Sequence, residues 1–429
     1  MNHTPPPHVI ARQAKTVIDL LAVILERVGE GRPADIALQD VFRSHHEYGS
    51  RDRRLFAAFV HSHFRWKGWT DLAPALPLAT RAAAAFRLDA PDSHPAVDAL
   101  APLDNPAEPL ESWAAQARQA ARWLNLDAPP PPERLVPEAV LPHLAWPGKA
   151  DEAAGRLRLL ESLQLRPPTW IRVRRGQASG VRDCCSQFGI EVTPHERMPN
   201  AWRVENTARL ADLLSRCKGQ LEIQDVASQA VGHVADPQPG SAWWDACAGA
   251  GGKSLHLADL AGGKVRILAS DVRESTLTEA GRRARLAGLD RAVRFARLDA
   301  ARDPLPKTLF DGVLVDAPCS GSGTWARNPD ARWRFDAAAI PALAETQLTL
   351  LLRAADAVKP GGSLLYATCS LLTDENADVT KQFMKVRPDF ELAPFANPLT
   401  GAETPGWACF WPWEGPGSCL FAARFRRRA

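Results

Sequence analysis

The chain has 429 residues, 45% hydrophobic and 24% charged, with a formal net charge of +3. Such a composition fits two or three globular domains with sizeable cores and excludes a disordered or fibrous chain. The slight positive charge permits a nucleic-acid partner without arguing for one.

Residues 1–128 read as an all-α domain. Val17, Leu20, Leu21, Ile24, Leu25 and Val28 recur at three- and four-residue steps, the period of an amphipathic helix. Gly29, Gly31 and Pro33 end it, and Ala34–Phe42 follows as a second helix. Ser50-Arg51-Asp52-Arg53-Arg54 opens a third, which runs through Phe56, Phe59 and Phe64 to Gly68. Pro129 to Pro132 cannot extend a helix and reads as a stiff linker.

Residues 134–235 read as a mixed α/β region. In Trp170-Ile171-Arg172-Val173-Arg174-Arg175 apolar and basic residues alternate, which places Arg172 and Arg174 on one face of a strand. Taken alone, that strip favours a solvated face. From 236 to 429 short apolar runs alternate with helical stretches, the pattern of a parallel sheet with crossover helices. Ligands of such sheets bind beyond the carboxyl ends of the strands.

Eight cysteines with no signal peptide and no membrane-length apolar run are expected to be free thiols in a reducing, cytoplasmic setting. Cys184 and Cys185 are adjacent and no pair of C-x-x-C motifs occurs, so no metal site is expected. Those two, with Cys217, Cys409 and Cys419, read as small buried apolar residues.

Three strand ends carry the candidate cofactor groups. The first strand, Ser241–Asp245, leads into Cys247-Ala248-Gly249-Ala250-Gly251-Gly252-Lys253 and a helix. Glycines there allow close backbone approach to a ligand at a helix N-terminus. The loop lacks the first glycine of a nucleoside-triphosphate loop, where Cys247 stands, and the last glycine of a dinucleotide fingerprint, where Ser254 stands. S-adenosylmethionine remains. It calls for an acid after the second strand to hold the ribose, met by Asp271, and a polar group after the third for the adenine amine, met by Asp299. Asp299 alone would also serve as a helix cap.

Two further strand ends carry cysteines, in Asp316-Ala317-Pro318-Cys319-Ser320-Gly321 and in Thr368-Cys369-Ser370. Carbon 5 of a cytosine is a poor nucleophile until a thiolate adds to carbon 6 and a carboxyl group engages N3. After methylation the carbon-5 proton must leave before the thiolate departs, a step that a second group assists. Asp316, Cys319 and Cys369 are groups of these types, although the chemistry alone does not choose between the two cysteines.

At these residues the sequence resembles the RNA 5-methylcytosine methyltransferases of the Nol1/Nop2/Sun family. The resemblance rests on Gln224–Gln229, the Asp245–Lys253 loop, Asp316–Gly323 with Arg327-Asn328-Pro329-Asp330, and Tyr366–Ser370 with Glu375-Asn376. It covers roughly the last half of the chain. Ser50–Arg53 and Arg65–Gly68 resemble the NusB-like domain of the bacterial 16S ribosomal RNA cytosine-5 branch. The resemblance implies a Rossmann-like class I S-adenosylmethionine methyltransferase domain, preceded by a small α/β RNA-binding region and an all-α NusB-like domain. It implies that Cys369 is the nucleophile, that Cys319 assists release, and that Asp316 contacts the base with Lys253 beside it. Two positions depart from the family pattern. Ala250 stands where proline is common, and Ser418-Cys419-Leu420-Phe421 replaces Asp-Gly-Phe-Phe.

Arg327, Arg332 and Arg334, interleaved with Trp325 and Trp333, follow the Asp316 loop. Arginines reach phosphates and aromatics stack on splayed bases, so Arg327, Arg332 and Arg172 are expected RNA contacts. The basic residues Arg424 to Arg428 read as solvated charge. The expected activity is methylation of a single-stranded or flipped cytosine, most readily in ribosomal RNA. A transfer-RNA enzyme of the same chemistry, or a non-catalytic RNA-binding assembly factor, are the alternatives. Retention of both thiols speaks against the latter.

Overall fold

The computed structural model describes residues 6–90, 94–146, 152–207 and 209–429. The chain packs into two compact units, Met1–Arg166 with Trp325–Ala337, and Pro167–Thr324 with Ala338–Ala429.

In the first unit the expected helices form at Pro7–Gly29, Ala34–Ser44 and Ser50–Thr70, followed by Leu78–Asp89 and Trp113–Leu124. The apolar stripe Val17, Leu20, Leu21, Ile24 and Val28 is buried against Phe56, Phe59, Val60 and Phe64. Pro129–Pro132 is not a free linker. Trp69 Nε1 donates to Pro131 O at 2.9 Å, Pro132–Leu135 forms a 3-10 turn, and Leu135 is buried in the same cluster as Trp66 and Trp69. The expected boundary at 128–134 therefore falls inside this unit.

The unit is completed by residues from far along the chain. Arg332 Nη1 and Nη2 donate to Leu135 O and Leu163 O at 2.7 and 3.1 Å. Trp333 Nε1 donates to Phe64 O at 2.7 Å, Arg65 Nη2 to Ala326 O at 3.2 Å, and Ala34 N to Asp330 Oδ2 at 3.1 Å. Gly68 has no room for a Cβ, which would lie 1.7 Å from Arg134 O and 2.9 Å from the Trp333 ring.

Two sequence expectations are corrected here. Arg332 is wholly buried, and burial lowers its pKa to about 9. It is a structural tie between carbonyls and cannot reach a phosphate. Trp325 is equally buried, and Arg334 is ion-paired with Asp330 at 3.0 Å. A basic-aromatic strip looks the same in sequence whether it faces solvent or fills a core.

Among the described residues, the second unit contains two sheets and a small hairpin. Strands β1 (Thr169–Val173), β2 (Val192–Pro194), β3 (Ala201–Val204) and β4 (Leu221–Ile223) form an antiparallel sheet of order β2-β3-β1-β4. Its face bearing Ile171 and Val173 packs with Val181, Cys185 and Leu213. The opposite face bears Trp170 and Arg172. Trp170 joins the core of the larger sheet, with Nε1 donating to Pro416 O at 2.6 Å. Arg172 is fully buried there; its Nε donates to Gln224 Oε1 at 2.7 Å, and Asp259 lies 3.8 Å away. Arg172 is thus neither the solvated residue nor the RNA contact that alternation suggested. The pleat directs it inward.

The larger sheet comprises β5 (Ala242–Asp245), β6 (Arg266–Asp271), β7 (Val293–Arg297), β8 (Phe310–Asp316), β9 (Val358–Thr368) and β10 (Phe390–Leu392). β11 (Phe395–Ala396) and β12 (Glu403–Thr404) pair separately, and β13 (Trp407–Phe410) and β14 (Leu420–Arg427) join the larger sheet. Its order is β10-β14-β9-β8-β5-β6-β7, with β5 to β9 mutually parallel and β14 antiparallel to β9. Successive residues of β5 face opposite layers: Trp243 packs with Leu255 and Leu257, Trp244 with Leu350 and Leu351. Gly312 lies flat under the Trp243 ring, where a Cβ would approach to 2.4 Å. The basic C-terminal run is solvated only in part: Arg426 and Arg428 are exposed, whereas Arg424 donates to Val234 O and Ala393 O, and Arg427 to Val358 O.

The burial of Arg332 yields a prediction. Arg332→Ala strands two buried carbonyls and opens a void, so it should cost about 2–4 kcal/mol of stability. Urea melts of the full chain read this. A variant as stable as wild type with weakened RNA binding would return Arg332 to the RNA surface.

Candidate active site

Strand order reverses between β5 and β8, and the loops leaving those strands flank a cavity of about 670 Å³. The loop after β5 keeps its shape through backbone freedom at two glycines, Gly249 and Gly251, with φ of 52° and 78°. Ser254 Oγ donates to Asp245 Oδ2 at 2.6 Å, fixing the start of the helix Gly252–Leu260. Asp245 is buried with Oδ1 unpartnered, and burial raises its pKa to about 7. Ala250 O accepts from Arg283 Nη1 at 2.5 Å, and Arg283 also holds Glu222 of β4 at 2.6 Å. The loop is therefore tied down where proline is absent.

Asp271 ends β6 with its carboxylate at the cavity wall. Oδ2 accepts from Gly249 N at 2.8 Å, and Oδ1 from Arg273 N and Nε at 2.9 and 3.0 Å. Burial works against its charge, but the Arg273 side chain and the two backbone N–H groups outweigh it and hold the pKa below the ordinary value. Asp299 also lines the cavity, with Oδ1 accepting from Ala301 N at 2.9 Å in a tight turn. Val272, half exposed, and Leu298 add apolar wall between them.

Beyond β8, Lys253 Nζ meets Asp316 Oδ2 at 2.6 Å. Burial disfavours the ammonium, yet Asp316, with help from Cys369 and Asp245, leaves the Lys253 pKa above its ordinary value. Cys319 Sγ and Cys369 Sγ lie 3.4 Å apart. A hydrogen bond from Cys319 lowers the Cys369 pKa, against burial, and the Lys253 charge acts in the same sense. The same hydrogen bond and burial push Cys319 well above the ordinary thiol range. Cys247, the third thiol at the cavity, is pushed up by burial and nearby carboxylates.

Cys247, Ala248, Gly249, Ala250, Gly252, Lys253, Asp271, Asp299, Asp316 and Cys319 thus share one cavity. Gly251 shapes the loop behind it, and Cys369 joins through its contact with Cys319. Arg172 and Arg332 stand elsewhere, and Arg327 lies in the segment that completes the first unit. Several participants were given no site role in the sequence reading, although Gln224, Ser228 and Glu375 lie in the stretches that carry the resemblance. Ile223, Gln224, Ser228 and Arg283 line the cavity. Glu375 and Gln347 are wholly buried behind the cysteines, Gln347 donating to Pro318 O at 3.0 Å and to Glu375 Oε1 at 2.8 Å. A glutamine on the apolar stripe of Ile340, Leu350, Leu351 and Ala354 was the available signal for Gln347.

The departure at Ser418 has its own bonding. Ser418 N and Oγ both donate to Asp225 Oδ2, at 2.9 and 3.1 Å. Cys419 N then donates to Gly323 O, and Gly323 N to Cys369 O.

A parallel sheet reversing at β5/β8, with an antiparallel strand beside β9, is the architecture of the Rossmann-like methyltransferases. Residues 233–426 match the profile of the family described as 16S rRNA methyltransferase RsmB/F. Ribosomal RNA small subunit methyltransferase B of Salmonella paratyphi A is 32% identical over 243 residues. That alignment takes in 56% of this chain and 56% of the relative, so the chain spans about half the length of the curated relatives it matches. The crystal structure of PH0851 superposes with a TM-score of 0.73 at 25% identity, covering 99% of both chains. A methyltransferase homologue from Pyrococcus horikoshii, 24% identical, covers 63% of this chain and 90% of its own with a TM-score of 0.53.

The raised pKa of Asp245 predicts a pH effect. Its carboxyl holds a proton in the folded chain up to about pH 7, whereas the unfolded chain releases it near 3.8. Over that window the unfolded state binds fewer protons, so this group's contribution to stability falls as pH rises. Asp245→Asn should gain stability relative to wild type between pH 4 and 7 and change little above. Denaturant melts across that range test it; a parallel pair of curves would refute it.

Proposed function

We propose that the protein is an S-adenosylmethionine-dependent RNA cytosine-5 methyltransferase acting on small-subunit ribosomal RNA. The observation that carries this reading is the pair of thiols at 3.4 Å beside the Lys253–Asp316 ion pair, on the cavity that Asp271 also lines. A binding protein needs neither a lowered thiol nor a buried cation next to it.

The cavity fits the cofactor on its own chemistry. Asp271 presents a charged carboxylate whose outer partner, the exposed Arg273 guanidinium, can swing aside for ribose hydroxyls. Val272 and Leu298 offer apolar surface for a purine next to Asp299, and the Cys247–Gly252 loop with its helix N-terminus takes the amino-acid end. When bound, the sulfonium supplies the methyl group to carbon 5.

The chain's residues do the rest. Cys369, the thiol with lowered pKa, adds to carbon 6. Asp316 engages the N3 edge of the base, and Lys253 offsets the negative charge that builds up there. Once the Cys369 sulfur is bonded to carbon, its hydrogen bond with Cys319 is lost. That bond is the largest cause of the raised Cys319 pKa, so its loss eases ionisation, and Cys319 gives its own proton up to solvent. Cys319 then takes the carbon-5 proton, the 5,6 double bond re-forms, and Cys369 leaves with its electron pair. Arg327 is proposed as a phosphate contact.

Two predictions follow from the division of roles. Asp271→Ala should weaken S-adenosylhomocysteine binding by about 1–3 kcal/mol in calorimetry, because ribose hydroxyls lose their acceptor. Unchanged affinity would defeat the assignment. On denaturing gels with labelled ribosomal RNA, Cys369→Ala should form no adduct, while Cys319→Ala should accumulate one. The opposite pattern reverses the roles, and methylation confined to transfer RNA replaces the substrate.

A further inference from the structure

We infer that Glu375 is a positioning residue whose carboxylate sets the separation of the two thiols by gripping the residue that follows each of them. The inference deepens the proposed cysteine chemistry and takes its functional meaning from it.

Each cysteine is followed by a serine, Ser320 after Cys319 and Ser370 after Cys369. Both serines bond the same carboxylate. Ser320 N donates to Glu375 Oε1 at 2.8 Å and Ser320 Oγ to Oε2 at 2.5 Å. Ser370 Oγ donates to Oε2 as well. The fourth donor is Gln347 Nε2 at 2.8 Å, which also holds Pro318 O, the carbonyl just before Cys319. Tyr366 donates its hydroxyl to the Glu375 carbonyl, fixing the backbone that carries the side chain.

Glu375 is 0% exposed, and its two oxygens are filled by these four donors. It therefore touches neither RNA nor cofactor and acts only through the loops. Those loops leave β8 and β9 on separate paths. Around the serines the loops are also joined by hydroxyl contacts, Ser320 to Ser370 at 3.1 Å and Ser322 to Ser370 at 3.2 Å, and by Leu371 N on Ser322 Oγ and Gly323 N on Cys369 O; the carboxylate is the one group that holds the serine after each thiol. A carboxylate here accepts every donor at once. A glutamine must turn an N–H toward donors and leave one unmatched. An aspartate is one methylene too short to reach both loops. Misplacing a reacting group by about 1 Å costs on the order of a hundredfold in rate, so the grip bears directly on the transfer of a proton past two sulfurs.

The test reads the sulfur separation without RNA. Diamide accepts two hydrogens from the thiol pair, becoming a hydrazine as the Cys319–Cys369 disulfide forms, and peptide mapping of the full chain follows that bond. Glu375→Gln should slow its formation by about tenfold or more, with Glu375→Asp intermediate and near-ultraviolet dichroism and S-adenosylhomocysteine affinity unchanged. With ribosomal RNA, Glu375→Gln should accumulate adduct and lower kcat while leaving the KM for S-adenosylmethionine in place. Ser320→Ala and Ser370→Ala, which remove one donor each, should show smaller shifts in the same direction, and they decide the matter if Glu375→Gln does not fold. Pairing at the wild-type rate in Glu375→Gln, or in both serine variants, overturns the inference. Rapid pairing in the wild type together with no RNA adduct in Cys319→Ala would instead overturn the cysteine chemistry and leave the role of Glu375 standing.

Discussion

Lys253 and Asp316 meet at the point where strand order reverses, one from the helix after β5 and the other from the end of β8. At that position two neighbouring parallel strands send their crossovers to opposite faces, so a crevice opens that no crossover covers. The ion pair bridges the crevice floor. Around it lie a carboxylate held in its charged form at Asp271, a neutralised one at Asp245, and a thiol whose acidity the ammonium enhances. Each owes its state to a different neighbour: Arg273 and Gly249 N hold Asp271 charged, burial raises Asp245 against the pull of Lys253, and Cys319 and then Lys253 lower Cys369.

The same unit uses arginine for a different purpose. Arg172, Arg174 and Arg283 connect the small antiparallel sheet to the helices of the larger one, through Asp259, Ala287 O and Glu222, and Arg283 also holds the Ala250 carbonyl. Buried arginine is costly to desolvate, and its return lies less in net stability than in fixing one arrangement of the groups it serves. Here that includes Gln224. Because Arg172 offers only donors, the Gln224 carbonyl oxygen must face it, and the amide nitrogen must turn toward Ser228 and the cavity. The cofactor loop inherits order from the same bonds, which is how Ala250 is tolerated without proline's stiffness.

Much of this was legible in sequence because strand ends advertise themselves. A short apolar run followed by Asp or Cys locates Asp271, Asp316 and Cys369 within a residue or two, and the helices of the first unit follow from period alone. What the sequence conceals is direction. Arg172 alternates with apolar residues as a solvated strand would, yet both faces of β1 are covered. Arg332 and Trp325 sit in a polar, aromatic stretch that reads as surface and is core. Gln347 illustrates the other limit. Buried polar residues owe their place to partners distant in sequence, and no local pattern announces such partners. The proline run after Pro129 shows that stiffness does not imply separation, since Pro131 is bonded to Trp69.

The segment Trp325–Ala337 belongs to the unit begun by the first 166 residues. A ribosome delivers the chain in order, so the early helices emerge while the carbonyls of Leu135 and Leu163 still lack Arg332 and the Phe64 carbonyl still lacks Trp333. Domains commonly fold in turn as they are made, but here the first to appear must wait for β1 through β8 to be synthesised before its last pieces arrive. The final tightening of the N-terminal unit is therefore timed by a stretch encoded just after Cys319.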